Sequence, residues 1–326
     1  MSIPLHEFYA AAERIRGAVI RTPLRESTWL SAAAGAAVHL KLEVIQPTSS
    51  YKIRGAFNAC LRLAAAESAA DLRLVTASAG NHGRALAYAA SRLGFPLTVF
   101  IAADAPRTKI DAIRAAGAQL QVCRDYDDAE RQAKTYAAAG NGRFISPYSN
   151  ADVIAGAGTI ALEILQDLSA LDAILVPIGG GGLISGIGLV MKALSPATRV
   201  IGVEVTASCP FTRSLAAGRL VEIDVQPSLA DGLTGNLDPD TITLEIVRKV
   251  VDEIALVEEP TLRHALADLV TNEHLVIEGA AAVGPAAILD GQIRLQGTVA
   301  VVLTGANIDS SRLAEIIAAS DLHPQE

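Results

Sequence analysis

The sequence predicts an α/β protein with two open, twisted, mostly parallel sheets, each in its own domain. Three observations predict it. Short apolar runs alternate with longer helical patterns along most of the chain. Glycine- or serine-rich turns stand where such runs end and helices begin. Hydrophobic residues make up 51% of the chain and aromatic ones only 4%, so the core is one of Ala, Val, Ile and Leu.

In chain order, residues 73–77 read as a strand and 81–92 as the helix after it. A strand at 97–102 leads to a helix at 107–116, and a strand at 119–123 to a helix at 129–139. Residues 152–168 read as helix, 173–178 as strand and 182–194 as helix. Further strands fall at 200–205 and 298–303. Apolar runs without alternation are the mark of strands covered on both faces, as in parallel sheets. The units separate into two clusters. Residues 72–149 form a small domain, and residues 1–71 with 150–326 form a larger one. No low-complexity linker or internal repeat marks the border.

The formal net charge is −8, and no Lys/Arg-rich run occurs. Such a chain repels phosphate backbones and anionic lipid, so nucleic acid and membrane surfaces are not expected partners. Cys60, Cys123 and Cys209 are odd in number and far apart. That is neither a disulfide framework nor zinc spacing, and each reads as a small buried hydrophobe. The first residues carry acids and no apolar signal core, and no run reaches the ~18 apolar residues of a membrane span. The cytoplasm is the expected compartment.

One lysine and three turns carry the chemistry: Ser78 to Gly83, Gly179 to Gly182, and Thr304-Gly305-Ala306-Asn307 after the last strand. Gly179, Gly180, Gly181 and Gly182 follow an apolar run, and Leu183 begins a helical pattern. Four glycines let backbone N–H groups gather round one anion at a helix N-terminus. No Lys-Ser/Thr pair follows, so this is not a nucleoside-triphosphate loop. The G-x-G-x-x-G spacing of dinucleotide sites is also missed, although Glu204 stands at a tempting distance. The plain alternative is a flexible turn. Lys52 follows Thr48, Ser49, Ser50 and Tyr51 and precedes an apolar pattern. A surface lysine is the ordinary reading. A lysine held against a buried surface has a lowered pKa and can form a Schiff base. Ser78, Ala79, Gly80, Asn81 and His82 form a donor-rich turn after a strand, suited to a carboxylate or a phenolic oxygen. His82 reads equally as structural or catalytic.

Ser50-Tyr51-Lys52-Ile53-Arg54-Gly55, Ser78-Ala79-Gly80-Asn81-His82-Gly83 and the tetraglycine occur in this order. Together they resemble the threonine dehydratase and serine racemase group of pyridoxal-phosphate enzymes, the tryptophan-synthase β type (fold type II). The resemblance runs from Arg21-Thr22-Pro23-Leu24 to Thr304-Gly305-Ala306-Asn307. It implies pyridoxal 5'-phosphate in the cleft between the domains, with Lys52 holding it as a Schiff base and taking the substrate's Cα proton. It places Tyr51 near the ring, Asn81 on the ring 3-oxygen, Gly179 to Leu183 on the phosphate and Thr304 at the pyridine nitrogen. It places Glu278 near the ring and the substrate carboxylate on the Ser78–His82 turn. It implies a homodimer acting on an amino acid.

Two departures bear on function. Racemases of this group carry a hydroxyl residue at the position of Ala79, and alanine transfers no proton. The group's divalent-metal site needs acids after Gly202-Val203-Glu204, but Pro210 stands where the downstream aspartate is expected. No metal is therefore expected, while a monovalent ion stays open. The chain also stops at Glu326, so the regulatory domain of biosynthetic dehydratases is not expected. The leading expectation is β-elimination from L-threonine or L-serine to a 2-oxo acid and ammonia. The alternatives are phenylserine, hydroxyaspartate or a hydroxyectoine-catabolic role, then a racemase, a β-replacement synthase, or a binding protein that kept the scaffold.

Overall fold

A computed structural model describes residues 3–67 and 72–321. The expected domain border at 71 falls on a residue outside those described. The strands are β1 (Leu24–Glu26), β2 (Ala37–Leu42), β3 (Leu74–Ala77), β4 (Leu97–Ala102), β5 (Gln119–Cys123), β6 (Arg143–Phe144), β7 (Ala173–Pro177), β8 (Arg199–Val205), β9 (Glu253–Val257) and β10 (Thr298–Leu303). The helices are α1 (Leu5–Arg14), α2 (Thr28–Ala34), α3 (Lys52–Ala66), α4 (Asn81–Leu93), α5 (Arg107–Ala115), α6 (Tyr126–Tyr136), α7 (Ala151–Asp167), α8 (Gly182–Leu194), α9 (Pro210–Ala217), α10 (Thr243–Val250), α11 (Glu259–Glu273), α12 (Gly279–Leu289) and α13 (Ser310–Asp321). None of the described helices is long and apolar enough to cross a membrane.

Two sheets form, as the sequence predicts. One has six strands in the order β1-β2-β10-β7-β8-β9, and the other four in the order β5-β4-β3-β6. Among the described strands, only β1 runs antiparallel to its neighbour; the other strand pairings are parallel. The central strand β10 shows why its sequence carries no alternation. Val299, Val301 and Leu303 enter a core with α2, α11 and α12, while Ala300 and Val302 enter another with α1, α7, α8 and α10. Cys60, Cys123 and Cys209 are free and buried.

The sequence reading misses β1, β2, β6 and β9. In β2, His39 and Lys41 interrupt the apolar run, and Lys41 is nonetheless fully buried. The helix expected at 129–139 starts three residues earlier, because Asp125 caps it by accepting from the Asp128 N–H at 2.8 Å. It gives way after Tyr136 to a looser turn.

Helix α3 is the joint between the two units. Ile53, Phe57 and Cys60 on one side enter the core of the smaller sheet with Leu74, Leu86 and Val99. Its other side meets α7 at near backbone contact. A Cβ on Gly156 would lie 2.5 Å from the Arg54 carbonyl oxygen, so only glycine allows the approach. Two residues on, α7 meets α8 in the same way, with Gly158 against Gly186. Helix α7 is thus a platform that fixes α3 relative to α8.

A buried charge cluster holds the start of α3. Arg54 donates from Nε and Nη2 to the two carboxylate oxygens of Glu43 at 2.8 Å each. It also donates to Glu163 at 2.6 and 2.9 Å and to the Ile20 carbonyl at 3.2 Å. Lys41 donates to Glu163 and to the Thr22 carbonyl, both at 2.6 Å. Glu43 also accepts from Thr22 Oγ1 at 2.6 Å and Gln46 Nε2 at 3.1 Å. Burial alone would raise the Glu43 pKa, but Arg54 holds it below the ordinary value. Two cations thus face two carboxylates, and each charge is neutralised where water is absent.

This cluster yields a stability prediction. Arg54→Met strands the Glu43 carboxylate in the interior, and we expect a loss of about 3–5 kcal/mol in urea unfolding followed by circular dichroism. Adding Glu43→Gln removes the stranded charge and should recover part of that loss. Wild-type stability in Arg54→Met alone would show that the cluster contributes nothing.

Candidate active site

Lys52 is the first residue of α3. The segment before it is strapped to the turn after β10. Tyr51 N–H donates to the Thr304 carbonyl at 3.0 Å, and Ala306 N–H donates to the Ser49 carbonyl at 2.9 Å. Ser49 adopts a left-handed backbone (φ 55°) to make this corner. The Lys52 ammonium donates to the Pro147 carbonyl at 2.9 Å and stands 5.3 Å from the Tyr51 ring centre. Burial brings the Lys52 pKa down to about 8, with Glu278 opposing. Burial and the Glu278 charge push the Tyr51 phenol upward.

The glycine turn lies on the other side of the Pro147-Tyr148 pair. A Cβ on Gly180 would lie 2.2 Å from the Tyr148 ring, and one on Gly181 would lie 2.4 Å from the Phe211 ring. Gly181 also has φ 81°, a conformation that disfavours side chains. Thr243 Oγ1 donates to the Gly180 carbonyl at 2.8 Å, and Tyr148 Oη accepts from Asp238 N–H at 3.1 Å. Residues Gly179 to Leu183 therefore form a fixed turn that opens the N-terminus of α8, where first-turn N–H groups have no helical partner. In that first turn the Ser185 hydroxyl is fully buried and makes no hydrogen bond.

The third turn joins β3 to α4, with Gly80 as the helix cap. Ser78 Oγ accepts from the Gly80 N–H at 3.3 Å. Ala79 presents only a methyl, packed at the edge of the smaller core. His82 is buried with Nε2 3.2 Å from the Ile145 carbonyl. Burial, then the nearby Lys52 charge, take its pKa down to about 3, so the ring stays neutral at physiological pH. Asn81 Nδ2 donates to Glu278 Oε1 at 2.7 Å, and Asn81 Oδ1 accepts from Asn307 Nδ2 at 2.6 Å. Glu278 is 5% exposed, and burial and Asp231 raise its pKa to about 7 against the Asn81 bond.

The structure thus gathers Lys52, Tyr51, Asn81, Glu278 and Thr304 round one cleft, and ties Lys52 to the glycine turn through residues 147–148. Pro147, Tyr148, Ser185, Arg84 and Asn307 were not expected from the sequence. Only Asn307 stood in a turn that the sequence singled out. Glu204, the acid that remains of the group's divalent-metal site, is engaged within the fold. It accepts from the N–H groups of Phe211 and Thr212 at 2.9 and 2.8 Å and from Thr212 Oγ1 at 2.6 Å, and so caps α9.

These residues fit pyridoxal phosphate. A glycine turn at a helix N-terminus and the free Ser185 hydroxyl suit a phosphate. Thr304 is 4% exposed, and its buried hydroxyl has no partner, which suits a ring nitrogen. An amine with a pKa of about 8 suits an aldehyde.

Comparison with known proteins agrees with this chemistry. The chain is 38% identical to L-threonine ammonia-lyase of Thermotoga maritima over 97% of this chain and 78% of that one. It is 36% identical to L-threo-3-hydroxyaspartate ammonia-lyase of Pseudomonas over 96% of this chain and 98% of that one. The solved structure of maize serine racemase superposes with a TM-score of 0.90 at 29% identity, covering 99% of both chains. The family model described as "Pyridoxal-phosphate dependent enzyme" matches residues 15–305, and to that family this chain belongs.

Proposed function

We propose that this enzyme removes ammonia from a β-hydroxy amino acid, L-threonine or L-serine before others, and yields the 2-oxo acid. The observation that carries the reading is the Lys52 amine, held 2.9 Å from the Pro147 carbonyl near His82 of a turn whose residue 79 has no acid–base group. The likeness to ammonia-lyases named for hydroxy amino acids supports it.

In this reading Gly179 to Leu183 and Ser185 hold the phosphate, and Asn81 donates to the ring 3-oxygen. Thr304 faces the ring nitrogen with a neutral hydroxyl. Tyr51 and Glu278 border the ring. The opening of α4, with Ser78, Ala79, Gly80 and the N–H groups of Asn81 and His82, receives the substrate carboxylate. Pyridoxal phosphate, when bound, supplies the electron sink that makes the substrate Cα acidic. Lys52 takes the Cα proton on its own face of the substrate. The β-hydroxyl leaves as water; a second water then releases ammonia. Residues 1–71 and 150–326 would form the larger domain and 72–149 the smaller. A cytoplasmic homodimer belongs to the same reading and rests on family likeness alone.

The maize neighbour brings racemisation forward as a second reading. Inversion needs a proton delivered to the face opposite Lys52, and the Ala79 methyl cannot deliver one. General acid–base groups contribute ~10²–10⁴-fold in rate, so racemisation should trail elimination by about that factor. L-Serine given to the holoenzyme should yield pyruvate and ammonia with D-serine far behind. D-Serine appearing as fast as pyruvate would overturn the assignment.

Two further outcomes follow from the site. Cofactor capture by the apoenzyme requires a neutral Lys52. Its rate should climb with pH and level off above about 8, because below that value the amine is protonated and cannot attack. Borohydride reduction should then leave the adduct on Lys52, whereas an adduct on another lysine would sink the reading. Gly180→Asp sets bulk against the Tyr148 ring and a negative charge beside the phosphate turn. We expect cofactor affinity to fall by about tenfold or more, roughly one charge-assisted hydrogen bond, with the far-ultraviolet spectrum retained. Wild-type occupancy would place the phosphate elsewhere.

A further inference from the structure

Asn81 sits in a directional chain of hydrogen bonds that crosses the cleft. Arg84, one turn along α4, donates from Nη1 to Asn307 Oδ1 at 2.6 Å. Asn307 Nδ2 donates to Asn81 Oδ1 at 2.6 Å and to the Thr48 carbonyl at 3.0 Å. Asn81 Nδ2 donates to Glu278 Oε1 at 2.7 Å. Arg84 and Asn81 belong to α4; Asn307, Thr48 and Glu278 lie on the other side of the cleft.

An amide can present either its oxygen or its nitrogen to a neighbour, and the two differ little in shape. Here the choice is forced. A guanidinium has donors only, so the Asn307 oxygen must face Arg84. The Asn307 nitrogen then faces Asn81 and the Thr48 carbonyl, which can only accept. Asn81 must therefore turn its oxygen to Asn307 and its nitrogen to Glu278. One N–H of Asn81 remains uncommitted after these bonds, and its oxygen already has a donor.

We propose that Arg84 and Asn307 are positioning residues that fix the polarity of the Asn81 amide, so that Asn81 meets the cofactor as a donor. This rests on the reading that Asn81 bonds the ring 3-oxygen. A fixed donor stabilises that oxygen as a phenolate, the form with visible absorption. A free amide would turn either way, and its carbonyl would favour the protonated, near-ultraviolet form. The chain also spans the cleft, so it couples the seating of α4 against the 304–307 turn to the electronic state of the cofactor.

Asn307→Asp tests polarity apart from packing. Aspartate keeps the size and the Arg84 bond but cannot donate to Asn81, so Asn81 must turn its nitrogen toward residue 307. The holoenzyme spectrum should move from the visible toward the near-ultraviolet, with the balance of the two forms changed about tenfold, the worth of one hydrogen bond to a charged group. Arg84→Ala should move the balance the same way by less, and Arg84→Lys should restore it, because one donor suffices. Melting of the apoenzyme separates this from general damage: the spectral shift should exceed anything that a small change in melting temperature accounts for. Asn81→Ala is the control. If it shifts the spectrum while Asn307→Asp and Arg84→Ala leave it at wild type, the polarity assignment is wrong and the Asn81 reading stands. If Asn81→Ala itself leaves the spectrum unchanged, both are wrong.

Discussion

The Arg54–Glu43 pair is the contact on which the placement of Lys52 depends. Arg54 lies two residues into α3 and is essentially out of water. Its guanidinium spends its donors on Glu43, Glu163, Thr159 and the Ile20 carbonyl. In the proposed function Lys52 must stay free to change partners, so it cannot also hold the start of its helix. The anchoring is displaced to the next face of the same turn. A charge pair suits this task because it is directional: a hydrocarbon contact at position 54 would tolerate rotation of the helix, whereas a two-pronged bond does not.

From that anchor, geometry passes through backbone rather than through side chains. Glycines at 55, 156, 158 and 186 let α3, α7 and α8 approach so closely that a Cβ on any of them would lie within 3 Å of a carbonyl oxygen of the facing helix. Side chains between helices would leave play from rotamer to rotamer; backbone contacts leave almost none. The distance between the lysine and the opening of α8 is thereby set by three helix axes. The Pro147-Tyr148 pair fills the gap, with one carbonyl toward Lys52 and one ring against Gly180.

The parts of this design that the sequence discloses are those whose residue types have few other uses. A run such as Ala173–Pro177 is apolar at every position because both faces of its strand are covered. Four glycines in a row and a Lys52 framed by hydroxyls and an apolar helix stand out for similar reasons. Strand β2 stayed hidden because Lys41 and His39 make its pattern look exposed, and only the tertiary partner Glu163 explains a buried lysine there. Arg84, Ser185 and Tyr148 stayed hidden because each is an ordinary residue in its own helix or loop. Their roles exist only once distant segments meet. Glu204 shows the converse: it is the acid left of a family metal site that the sequence reads as incomplete, and the fold uses it to cap the start of α9.

The strand order has a consequence for how the chain reaches this state. The smaller sheet draws all its strands from residues 74–144, so it is complete while the ribosome is less than halfway along. The larger sheet is not, because β10 sits between β2 and β7 and is the last strand made. Its register pairs Ala37 with Thr298, one of the longest closures that this chain makes. Until β10 emerges, β2 and β7 each present a bare strand edge, the kind of surface on which chains stick to one another. The nascent protein therefore carries a finished small domain beside two unfinished half-sheets. Conditions that slow or truncate synthesis before Leu303 should give aggregation rather than partial activity, since the strand that joins the halves also delivers Thr304 to the site.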